Sequence, residues 1–143
     1  MSHRQTLDTD GARPSLSRRV AAHAAVSAAR LLAHLSPRQI QAVLRAVRRG
    51  AAPAPYATAL ATRHQVTAVS TLCAGRYCLQ RSLATALLCR LGGTWPTWRT
   101  GVRVSPFAAH AWVEAEGRPV GEPEDTGTYH PMLTVEPLPR SAP

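Results

Sequence analysis

Tyr77-Cys78-Leu79-Gln80-Arg81-Ser82-Leu83-Ala84 decides how this chain of 143 residues is read. A cysteine opens an apolar helical repeat just after a break at Ala74-Gly75. The flanking Arg76 and Arg81 make that helix start electropositive, and the helix dipole adds to them, so thiolate is favoured over thiol. Arg81 and Ser82 follow three and four residues on, along the face that carries Cys78. The complement is Ala109-His110-Ala111-Trp112-Val113-Glu114, which alternates as a strand does and supplies a histidine to accept the thiol proton.

Upstream, residues 1–14 are polar, with Gly11 and Pro14, and read as a flexible tail. From Ser15 the chain turns helical, with Val20, Ala24, Ser27, Leu31 and Leu35 as the expected buried stripe and Arg18, Arg19 and Arg30 off it. Ser36-Pro37-Arg38-Gln39 restarts a helix with a capping box. Ile40, Val43, Leu44 and Val47 share one face of it, and Arg48-Arg49-Gly50 ends it as dipole and C-cap rules expect. Residues 15–50 are thus expected to form a helical hairpin with a basic outer face. Ala51-Ala52-Pro53-Ala54-Pro55 reads as a linker, and Tyr56 to Leu72 as a third helix. The helix from Cys78 to about Arg90 shows Leu79, Leu83, Leu87 and Leu91 on a buried stripe and stops at Gly92-Gly93.

Beyond Gly93 the period changes to that of a strand. Thr94 to Val104 is an irregular strand interrupted at Pro96. In Phe107 to Glu114, Phe107, Ala109, Ala111 and Val113 are expected to face the core and His110 and Trp112 the other side. Glu116-Gly117-Arg118 is a hairpin turn, Pro119 to Gly121 begins the returning strand, and Met132 to Val135 is a short final strand. Helices followed by an antiparallel sheet make an α+β fold: a single domain over 15–143, with a catalytic core at 56–136.

Composition excludes several classes. The apolar runs fall short of the ~18 residues that span a bilayer, and Met1 to Arg13 shows no signal peptide, so a soluble cytoplasmic protein is expected. All 17 basic residues are Arg, a bias that a GC-rich genome produces, although the net charge of +9 resembles a nucleic-acid footprint. Residues 1–113 carry 15 Arg against Asp8 and Asp10, whereas residues 114–143 carry two Arg against six acids. Few aromatics interleave with the arginines, so an acidic peptide or partner fits that asymmetry better than nucleic acid. Cys73, Cys78 and Cys89 are an odd number at spacings that suit neither a disulfide framework nor zinc. No cofactor is expected. Free cysteines generally serve as small buried hydrophobes, a reading that suits Cys89 and Cys73 better than Cys78.

The Cys78 stretch, Gly101-Val102-Arg103, and Ala109 to Glu114 followed by Gly117-Arg118-Pro119-Val120 resemble the lasso-peptide biosynthesis B2 proteins, over about residues 60–136, with the histidine 32 positions after the cysteine. Those are small transglutaminase-like, papain-like cysteine proteases that remove the leader from a ribosomally made precursor. The resemblance implies Cys78 as nucleophile and His110 as base. The family's third member is usually an Asp on the strand after the histidine. Here Gly121-Glu122-Pro123 offers Glu122, with Asp125 as the competitor. It further implies a precursor peptide as substrate, a separate leader-recognition protein of the B1 kind as partner, and a separate lasso cyclase. The docking surface for the partner is expected on the basic helical part, at Arg18, Arg19, Arg45, Arg48 and Arg49, or at an exposed sheet edge offered for strand addition. The Cys78 N–H is expected to contribute to an oxyanion hole. Two other readings stand beside this one: a transglutaminase-like acyltransferase, and a non-enzymatic Arg-rich module binding nucleic acid or an acidic partner.

Overall fold

The computed structural model describes residues 15–70 and 77–139. The expected tail, the Ala74-Gly75 break, Arg76 and Cys73 lie outside the described residues.

Helix α1 (Leu16–Leu32) starts at Ser15, whose side chain accepts from the Arg18 N–H. The buried seam is Ala22, Ala25, Val26 and Ala29, not the expected stripe: Val20 is 58% and Leu31 72% exposed. Small residues let this helix approach its neighbours closely, and the larger side chains are left outside. Helix α2 (Pro37–Val47) carries the capping box and buries Ile40 and Leu44. The two helices are consecutive in the chain, yet they pack chiefly on different elements rather than as a hairpin: α1 on the third and fourth helices, α2 on the last strand.

Where a linker was expected, β1 (Ala52–Pro53) pairs in parallel with β2 (Thr94–Trp95). The Ala52 and Ala54 N–H groups donate to Gly93 and Trp95, so the missing N–H of Pro53 falls between two ladder bonds. Helix α3 (Tyr56–Val69) follows. Helix α4 (Cys78–Leu91) is the central element, in contact with α1, α3 and the sheet. That explains why it is buried on more than one stripe, with Leu83, Ala84, Thr85 and Ala86 fully enclosed, while Leu91 at its end is 65% exposed instead of buried. Arg90 ties α4 to α2: its Nε donates to Val47 O and its Nη2 to Arg49 O, each at 2.8 Å.

Pro96 separates β2 from β3 (Thr97–Arg103), which pairs antiparallel with β4 (Ala108–Ala115). The Glu116-Gly117 turn, with φ of 54° and 76°, leads into β5 (Arg118–Pro119). The final strand, β6 (His130–Val135), lies on the far side of β3, giving the order β5-β4-β3-β6. Trp95 and Trp98 are fully buried with their indole N–H groups satisfied, Trp95 by Val135 O and Trp98 by Ser82 Oγ.

The alternation of β4 differs from the expected pattern at its start. Ala111, Val113 and Ala115 are buried, but Phe107 is 72% exposed and Ala109 is exposed as well. On the opposite face Trp112 is buried too, because Tyr129 lies against it. Gly101 sits opposite His110 in the β3–β4 ladder, where the β3–β6 register slips. A Cβ there would lie 2.8 Å from His130 O and 3.0 Å from the Trp112 ring.

Gly101→Ala is therefore expected to destabilise the fold by about 1–3 kcal/mol, the usual cost of overpacking, and to lower Tm by several degrees. A melting curve that matches wild type would show that the backbone there yields freely.

Candidate active site

Because α4 packs on β4, the first turn of that helix meets the middle of that strand. Cys78 is the first residue of α4 and His110 the third of β4. The Cys78 thiol is hydrogen-bonded to the His110 side chain and to the backbone of Ala111. His110 Nε2 lies 2.6 Å from Glu122 Oε1. With Nε2 so engaged, Nδ1 is the nitrogen left for the sulfur. The Cys78 N–H belongs to the turn that leaves its amides without intrahelical acceptors.

Of the two carboxylates left open by the sequence, Glu122 is the one brought to His110. Its side chain is only 3% exposed, and Arg63 Nη2 from α3 approaches it at 3.4 Å. Asp125 is instead 56% exposed and paired with Arg103 at 3.0 Å. Gly121, at φ +63°, makes the turn into Glu122, and a side chain there would run into Arg63 and Leu60. The Gly121 N–H donates to the Tyr56 hydroxyl, and the Arg118 guanidinium lies 4.1 Å over the Tyr56 ring.

The imidazole is also held by rings. Trp112 stacks on it at 5.6 Å and 17°, and Tyr129 approaches from another side at 5.3 Å. Arg63, Tyr56 and Tyr129 escaped the sequence reading. Only tertiary folding brings Arg63, 59 residues upstream, to Glu122, so no local spacing signals it.

The electrostatics follow from these contacts. Burial opposes ionisation of Cys78, but the His110 hydrogen bond, the Ala111 N–H and the charges of His110 and Arg81 outweigh it, and the thiol lies below its ordinary value. The hydrogen bonds of His110 to Cys78 and then to Glu122 raise it from 6.5 to about 9. Burial likewise opposes charge on Glu122, and His110, Arg63 and Arg81 overcome it and hold the carboxyl below its ordinary range. All three shifts favour the charged forms: thiolate, imidazolium and carboxylate. Cys89 differs: burial raises its thiol against the hydrogen bonds of Thr62 and Thr94, which leaves it inert.

Beside Cys78 lies a groove of about 710 Å³, between the first turn of α2 and strands β3, β4 and β6. Among the described residues no group of three or more His, Cys, Asp or Glu could hold a metal ion, and no helix is long and apolar enough to cross a membrane.

A family model of the transglutaminase-like superfamily matches residues 22–134. The chain belongs to that superfamily. Its members are typically cysteine-dependent enzymes, and here a cysteine opens the central helix of an α+β fold. No curated protein and no solved structure matches this chain.

The raised value of His110 has a testable sign. A histidine shifted from 6.5 to about 9 contributes stability that is complete below 6.5 and lost as pH rises through about 9. Its ring-proton NMR titration is expected to have its midpoint near the upper value in wild type. Cys78→Ala and Glu122→Gln should each lower that midpoint, since each removes a partner of the charged form. A wild-type midpoint at 6.5 would contradict the ion pair.

Proposed function

We propose that this protein is a cysteine endopeptidase that removes the leader from a lasso-peptide precursor, with Cys78, His110 and Glu122 as its catalytic residues. The observation that carries the reading is the connected chain from the Cys78 thiol through His110 to the buried Glu122. The motifs around Cys78 and His110 support the narrower choice of substrate.

The Cys78 thiolate attacks the scissile carbonyl and forms a tetrahedral oxyanion, which the Cys78 N–H is placed to stabilise. His110 gives its proton to the departing amine as the C–N bond breaks, leaving a thioester. Water then adds to the thioester, His110 takes its proton, and the C–S bond breaks to release the new carboxyl end. Glu122 holds the imidazole in orientation and stabilises its charge.

A separate leader-binding protein would supply the remote binding energy that a short scissile segment lacks. The arginines expected to dock it do not act alike. Arg18 and Arg19 line a groove with His23 and Gln65 between α1 and α3, whereas Arg48 Nη1 is bonded to Glu136 O. The α1 groove is the better candidate for a partner with acidic side chains.

The test is mass spectrometry of precursor incubated with enzyme, with and without the leader-binding protein, over a range of salt. Cys78→Ala and His110→Ala should each abolish cleavage, and Cys73→Ala and Cys89→Ala should not. Glu122→Gln should slow it by up to about 10⁴-fold, and Asp125→Asn by much less. The partner should accelerate cleavage, less so at high salt. Wild-type turnover by Cys78→Ala would overturn the reading, and a product joined to an added amine would make the enzyme an acyltransferase.

A further inference from the structure

The groove beside Cys78 is of the size that ligand sites occupy, about 300–1,000 Å³, and its lining is mostly apolar. Ile40, Leu79, Val102 and Leu133 form much of the wall, and exposed Ala109 and Met132 leave one side open to solvent. No carboxylate lines it. Apart from Cys78 and His110, the ionisable lining residue is Arg38.

Arg38 gains little from its own helix. It follows Pro37 in the first turn of α2, where the helix dipole disfavours a cation, and that turn contains no acid to offset it. Nor does the capping box use its side chain, since Ser36 and Gln39 satisfy one another. Among the described residues its guanidinium has no ion pair, whereas the strand arginines Arg99 and Arg103 do. An exposed cation at the rim of an apolar groove, beside a nucleophile, is complementary to an extended peptide that presents an apolar side chain and, next to it, a carboxylate.

We infer that the peptide segment seated in this groove carries an acidic residue adjacent to an apolar one, and that Arg38 is the residue selecting it. The inference rests on the peptidase reading and adds the chemistry of the substrate at this site. The apolar side chain packs against Ile40, Leu79 and Leu133, while the neighbouring side chain reaches out to the guanidinium at the rim. Arginine suits the task because its planar fork binds a carboxylate through two parallel hydrogen bonds.

The experiment uses the full chain and short peptidyl vinyl sulfones that differ only in Glu, Gln or Lys beside a leucine, in both orders. Alkylation of Cys78 is followed by intact mass, and each rate is taken relative to iodoacetamide in the same variant. Wild type should prefer the Glu reagent over the Gln reagent roughly tenfold in one of the two orders, and should react slowest with Lys. Arg38→Gln should bring the Glu and Gln reagents level, and Arg38→Glu should make the Lys reagent the fastest. Equal rates for Glu and Gln in wild type, a Glu preference that survives Arg38→Gln, or peptidyl reagents that fail while iodoacetamide reacts would each overturn the inference. Failure of the peptidase reading looks different: iodoacetamide would then react with Cys78 only as fast as with an ordinary thiol.

Discussion

A carboxylate that is 3% exposed has to be paired, and the pairing of Glu122 with His110 organises everything near it. Removing one partner of a buried ion pair typically costs about 3–5 kcal/mol, because the charge left behind keeps its desolvation penalty. Several parts of the fold converge on meeting that demand. Arg63 comes from α3, the left-handed Gly121 turns the chain inward, and Tyr56 holds the Gly121 amide. The sheet supplies His110, and α4 brings the thiol that accepts its second hydrogen bond. Each charge in the cluster is tolerated because the next one is present, so the lowered thiol at its end is a product of packing as much as of local sequence.

The parts of the fold legible in the sequence were those whose causes are local. A capping box, a proline between two strand segments and a glycine in a two-residue turn each act within four residues, and all three are found where the sequence places them. The register of α1 was illegible for the opposite reason. Its alanine seam and its stripe of larger residues share the same helical spacing, and only the closeness of α4 and α3 selects the small one. The start of β4 was misjudged because alternation assumes both ends of a strand are covered, and Ala109 instead borders an open groove.

At the site the same division holds. Cys78 and His110 could be singled out by a helix start and a strand pattern, both local. Glu122 and Asp125 could not be separated, since they lie three residues apart in one acidic loop. What parts them is Arg63 on α3 for one and Arg103 on β3 for the other, with Gly121 fixing the direction of approach. The aromatic walls around His110 depend on a gap as well: Trp112 lies flat because Gly101 across the ladder has no side chain.

The two hydrogen bonds from Arg90 to the end of α2 have a mechanical meaning. The C-terminal ends of helices α2 and α4 are fastened through Arg90, and their first turns, bearing Arg38 and Cys78, both line the groove. The α2 helix that presents Arg38 to the groove is thus held at its far end by a guanidinium that does not itself line that groove.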